Sequence, residues 1–142
     1  MKRLMWSLAV TILLTSLSFA QATPDYKPKF AGDPAHSDAE AAAMGYMRVV
    51  VNAQKNYSHK HAGQYATSLN ALVGQGSFTR RMLDPKRGDY SAKFKGTAKD
   101  YSLWMTPSTV SPATRAFFVD ESGVIRAEED KQATADSPKA KP

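Results

Sequence analysis

Cysteine is absent from this chain of 142 residues. That excludes disulfide frameworks, thiolate zinc sites, iron–sulfur clusters and thiol catalysis. Histidine is scarce, being confined to His36, His59 and His61. His59 and His61 stand two apart, a spacing that a helix points in widely different directions. Lys60 lies between them and no carboxylate adjoins, so a solvated helix C-terminus is expected there, not a metal site. The chain has no G-x-S-x-G elbow, and Gly74-Gln75-Gly76 precedes no strand–loop–helix unit that could cradle phosphate. The carboxylates of Asp120/Glu121 and of Glu128/Glu129/Asp130 are accounted for by a turn and by the chain's polar end. Catalysis, a cofactor and a specific small-molecule ligand are therefore not expected.

Charge is likewise unclustered. The net charge is +6, yet no block of five or six like charges occurs. Lys27/Lys29, Arg80/Arg81 and Lys86/Arg87 read as solvated loop pairs, so no nucleic-acid partner is expected.

The chain has one long uncharged apolar run, Leu4 to Leu17, and it follows Met1-Lys2-Arg3. Ala20-Gln21-Ala22 then places small residues where a signal peptidase needs them. Residues 1–22 read as a signal peptide cleaved between Ala22 and Thr23. The run is shorter than the roughly 20 residues that span a bilayer, so no stable membrane span is expected after cleavage. Loss of Lys2 and Arg3 lowers the net charge from +6 to +4. The product is expected outside the cytoplasm, in the periplasm or beyond.

Residues 23–36 contain Pro24, Pro28 and Pro34 without periodicity and read as an extended linker. Residues 129–142 are small, polar and proline-ended, and read as a disordered tail. One globular domain is expected between them, over residues 37–128.

Within it, Ser37-Asp38-Ala39-Glu40 fits a capping box, with Glu40 reaching back to the Ser37 N–H. Ala43, Tyr46, Met47, Val50, Ala53 and Tyr57 then recur at three- and four-residue spacing, opposite Arg48, Asn52, Lys55 and Asn56. The spacing predicts a long N-terminal helix over 38–59, ended by Gly63 in the left-handed region. A capped turn follows at Thr67–Gly74, and the path of residues 75–88 is unassigned. From Asp89 the period becomes two: Tyr90/Ala92/Phe94, then Tyr101/Leu103/Met105 after the loop Gly96–Lys99. Arg115–Val119 pairs with Val124–Ala127 across Asp120-Glu121-Ser122-Gly123. The fold class is α+β, with the helix packed on an antiparallel meander of about four strands.

The alternation sends Trp104 to the face opposite Leu103 and Met105, and it separates Phe117 from Phe118. Two outcomes follow. Residues 75–88 or the loop 107–114 cover these outer rings, or Trp104 and Phe118 form an exposed aromatic patch. Lys93 and Lys95 share that face, so the second outcome gives an aromatic centre with a basic rim suited to an acidic protein or a glycan.

The order of these pieces resembles the globular domain of bacterial type IV pilin-like proteins and type II secretion pseudopilins. Glu40, Ala41, Ala43, Arg48, Ala53, Gln54 and Tyr57 follow the helix pattern E-A-x-A-x-x-x-x-R-x-x-x-x-A-Q-x-x-Y. Gly63, Tyr65, Ser68, Leu69 and Leu72 follow G-x-Y-a-x-s-L-x-x-L, and Phe117, Phe118, Asp120, Gly123, Ile125 and Arg126 follow F-F-x-D-x-x-G-x-I-R. The resemblance covers about Asp38 to Arg126. It implies an exported pilin-like protein accessory to a type IV pilus or type II secretion system, with other pilin-like or secretion-apparatus proteins as partners. The prepilin leader, ending in Gly before a Phe- or Met-led helix, has no counterpart here. What the resemblance implies is thus a head without the polymerising stalk. The alternative is a stand-alone periplasmic binding or structural module.

Overall fold

The computed structural model describes residues 26–142. The expected leader, its cleavage point at Ala22 and Thr23, and residues 23–25 lie outside the described residues. The architecture is α+β: one helix, α1 (Asp38–Lys60), and an antiparallel sheet of five strands. The strands are β1 (Lys86–Arg87), β2 (Tyr90–Gly96), β3 (Tyr101–Pro107), β4 (Ala116–Asp120) and β5 (Arg126–Glu128), and their order in the sheet is their order in the chain. Two short 3-10 turns, Leu69–Leu72 and Arg80–Leu83, connect helix to sheet.

α1 begins where Ser37, in extended backbone, accepts the Glu40 N–H on its hydroxyl at 3.2 Å. The other half of the expected capping box is displaced by one residue. The Glu40 carboxylate takes the N–H of His36 at 2.8 Å, because its oxygens are also held by Arg115. The helix ends through Ala62 and Gly63, both at positive φ, with the Gly63 N–H returning to the Ser58 carbonyl at 2.9 Å. Its 23 residues make about 34 Å of helix.

Ala43, Tyr46, Met47, Val50 and Ala53 are buried, and Asn52, Lys55 and Asn56 are exposed, as the periodicity requires. Met44, Val51 and Gln54 are buried too. The buried arc is wider than the single stripe because α1 packs against strands β1, β3 and β4 and also against the Leu69–Leu72 turn.

The inner face of the sheet carries Tyr90, Tyr101, Leu103, Met105, Phe117 and Val119, all buried. Phe78, in the stretch of unassigned path, is buried in the same core, and Met82 and Leu83 pack on it. Residues 75–88 therefore lie on the helix side and do not cover the outer face. β1 adds a fifth strand where about four were expected, since two residues show no period to read.

Glycine is required at Gly96, where a Cβ would come within 2.7 Å of the Ala66 carbonyl oxygen. That close approach seats the loop after α1 against the β2–β3 hairpin. Gln54 holds the same loop from inside the helix: its amide nitrogen donates to the Ala66 carbonyl (3.0 Å) and its oxygen accepts the Ala66 N–H (2.9 Å).

Both flanks depart from expectation. Residues 26–36 are not simply extended: the Tyr26 hydroxyl donates to Asp33 at 2.6 Å, and Asp33 and Ala35 are buried. The helix is thus preceded by folded chain and is not N-terminal as expected. Residues 129–142 are not disordered either, because Ala133, Ser137 and Ala140 are buried against the sheet. Methyl groups of alanine suffice here, since the sheet supplies the shape and the tail only fills it.

The helix phase is testable at two positions. Val50→Asp puts an unpartnered carboxylate into the core and should cost several kcal/mol, whereas Asn52→Asp should stay within about 0.5 kcal/mol of the parent. Chemical denaturation measures both; equal midpoints would mean that the wrong face of α1 is buried.

Candidate functional site

β2, β3 and β4 place one residue each in a row across the outer face. Lys93 pairs with Trp104 and Trp104 with Phe118, and β5 extends the row to Arg126. The Lys93 ammonium sits 5.9 Å from the Trp104 ring centroid, a cation–π contact. Trp104 meets Phe118 edge to face at 5.4 Å and 62°. Lys95, two residues along β2, is exposed on the same face, as is Lys93.

The four residues of the expected patch do not share one fate. Phe118 is only 4% exposed, packed with Ala116 and Ala133 in a small second core to which Trp104 and Val110 contribute. Of the two outcomes, Phe118 takes the covered one. The cover comes mainly from residues 129–142, with Val110 of the loop 107–114 assisting. Gln132 fastens that cover to β3, its amide donating to the Thr106 hydroxyl at 3.1 Å. Trp104 is half-buried. The accessible patch is therefore Trp104 with Lys93 and Lys95, and Phe118 supports the indole from beside it.

A second cluster was not anticipated as such. Glu40 is fully buried and Arg115 is 4% exposed. Glu40 Oε2 lies 2.8 Å from Arg115 Nη2, and Oε1 accepts both the Arg115 backbone N–H (3.0 Å) and its Nε–H (3.2 Å). Nη2 also donates to the Pro34 carbonyl and Nη1 to the Lys141 carbonyl. Every guanidinium nitrogen and both carboxylate oxygens are thus engaged, which suits a structural tie and leaves no lone pair poised for proton transfer. Sequence reading saw Glu40 as a cap and Arg115 as the start of a strand. A charged residue opening an otherwise apolar strand was the available signal.

Burial and hydrogen bonding shift several protonation equilibria. Burial raises the Tyr90 and Tyr101 hydroxyls, and the hydrogen bond to Asp33 pushes Tyr26 up to about 12 while holding Asp33 below the usual carboxylate range. Among the described residues no group of three or more His, Asp or Glu could hold a metal ion. His61 stacks on Tyr57 at 3.7 Å, and its Nδ1 lies 2.8 Å from the Tyr57 carbonyl.

Clefts lie elsewhere on the described residues. One of about 580 Å³ is bounded by Pro112, Glu128, Asp130, Lys139 and Lys141, whose opposed charges favour no single ionic ligand. One of about 260 Å³ lies between α1 and the β4–β5 turn, beside Arg48 and Lys55. Among the described residues no helix is long and apolar enough to cross a membrane.

Comparison of this chain with protein-family models, with curated proteins and with solved structures returned no match.

Trp104 reports on the patch. In a chain starting at Thr23, which lacks Trp6, it is the sole indole. Its emission should be quenched by acrylamide to an extent between those of free and fully enclosed tryptophan. Ala133→Asp, which loosens the cover over Phe118, should raise the quenching. No response to that substitution would separate residues 129–142 from the outer face.

Proposed function

We propose that this chain is an exported, non-catalytic pilin-like protein, accessory to a type IV pilus or type II secretion apparatus. The observation that carries the reading is the arrangement of helix and sheet. One helix, capped at Ser37, lays its apolar arc on the inner face of an antiparallel meander whose strands follow chain order. The residues that carry the family resemblance also have defined places in it. Gln54 pins the loop at Ala66, and Gly123 takes the positive φ of the β4–β5 turn. Asp120 accepts the Ser122 N–H of that turn.

In this reading the fold is a rigid support, and contact with a partner falls to Trp104, Lys93 and Lys95, with Phe118 behind them. An indole with two ammonium groups on one side of it suits an acidic protein surface.

One observation favours the second reading, a stand-alone periplasmic binding or structural module. The segment before α1 turns back on the domain, with Asp33 accepting the Lys29 and Ala35 N–H groups and Pro34 tied to Arg115. A helix that starts at a cap and follows a pinned turn is not continuous with a filament stalk.

Fractionation separates the two. The full chain, tagged at its C-terminus and expressed in its own host, should cross-link to pilin-like or secretion-apparatus proteins, and a share should follow sheared filaments. Recovery only from the periplasm, with no such cross-link, would leave the stand-alone module.

A further inference from the structure

The sheet ends at β5, and an end strand presents unpaired N–H and C=O groups that another strand can use. Here the chain's own end uses them. Arg126 is bridged to Lys139: the Ala127 N–H donates to the Pro138 carbonyl and the Ala140 N–H to the Ile125 carbonyl, both at 3.0 Å. Arg126 Nη1 donates to the Ser137 carbonyl (2.9 Å), and the Ser137 hydroxyl donates to Glu128 (2.6 Å).

This cover is a thin one. Between residues 132 and 142 only Ala133, Ser137 and Ala140 are buried, while Thr134, Ala135, Asp136, Pro138 and Lys139 are exposed. Pro138 brings no N–H to the edge. Arg126 Nε is buried without a hydrogen-bond partner. The strap thus satisfies the edge in part and leaves one strong donor unused.

We propose that residues 129–142 are a releasable strap over a contact between two copies of this chain, in which β5 of each copy pairs antiparallel with β5 of the other. The sequence of β5 selects this occupant. Ala127 is the residue whose N–H points away from β4, so the two-fold axis falls on it. Pairing about Ala127 sets Arg126 of each copy opposite Glu128 of the other, twice over, and each pair lies on one face of the joined sheet. Pairing about Arg126 instead would set arginine against arginine and is disfavoured. A carboxylate across the edge supplies the partner that Arg126 Nε lacks. With the strap closed, residues 137–140 compete from within the same chain at an effective concentration of order millimolar. The intact chain therefore stays monomeric until the strap is cut or displaced.

The test uses the full chain and sedimentation velocity. The parent should sediment as a monomer. Ala133→Asp with Ala140→Asp removes both buried methyl anchors and should double the mass. Adding Glu128→Arg, which faces Arg126 with a like charge, should return it to the monomer. Adding Arg126→Glu as well restores opposite pairs and should restore the dimer. A strap-released chain that stays monomeric, or that associates regardless of residues 126 and 128, overturns the proposal. Hydrogen exchange on the unaltered chain gives a second reading that needs no destabilising change. The Ala127 and Ala140 amides should exchange at least about tenfold faster than those of Leu103 and Val119, through opening of the strap alone. Equal protection at the four amides would show that the strap does not open separately, and would overturn it too.

Discussion

The Glu40–Arg115 ion pair is the constraint on which the remainder of the structure depends. It joins residues 75 apart in sequence, in the first turn of α1 and immediately before β4. Through the same two side chains it also holds the segment before the helix, by the His36 N–H and the Pro34 carbonyl, and the end of the chain, by the Lys141 carbonyl. The Tyr90 hydroxyl adds β2 by donating to the Arg115 carbonyl at 2.9 Å. Burying two charges costs several kcal/mol each, and their attraction offsets this only where the remaining hydrogen-bonding capacity is filled. Here it is filled mainly by the His36 and Arg115 N–H groups and the Pro34 carbonyl, which lie outside residues 129–142, with the Lys141 carbonyl adding one bond that the pair can lose. The position of Glu40 in the first helical turn, near the positive end of the helix dipole, adds a further favourable contribution.

The candidate site inherits its shape from this tie. With the start of β4 fixed to the top of α1, the period of two sends Phe117 inward and Phe118 outward. Phe118 then sets the edge-to-face position of Trp104, and Trp104 that of Lys93. The end of the chain, anchored at one extremity by Lys141 on Arg115, is laid across the outer face as far as Phe118. What stays open is the strip beyond it, a half-buried indole beside the two lysines of β2. The same strap that narrows this patch closes the edge of β5, so one segment governs access to both surfaces.

Much of this was legible in the sequence because it rests on local periodicity. The buried stripe from Ala43 to Ala53, the outward turn of Trp104 and the positive φ of Gly123 each follow from spacing or from turn chemistry over a few residues. What was not legible depends on distant contacts. Glu40 reads as half of a capping box, and only the fold brings Arg115 to it. β1 is two residues long and has no period. Residues 129–142 have a composition that cannot build a core, yet Ala133 and Ala140 need only fill spaces that the sheet has already made. The main cover of Phe118 is not legible for that reason: it comes from the segment whose composition argues for disorder, with Val110 of the expected loop beside it. Gln54 stood in the helix pattern, but its role emerged only with the loop at Ala66 beside it.

A double-mutant cycle on Glu40 and Arg115 tests the central claim most directly. Glu40→Leu and Arg115→Met should each lower the unfolding free energy by about 3–5 kcal/mol, because each leaves the other charge buried and alone. The double variant should cost less than the sum, by a coupling of about 2–3 kcal/mol between the sites. Single changes below about 1 kcal/mol, or costs that simply add, would contradict the account and show that the pair is an incidental contact on a fold held together by its apolar core.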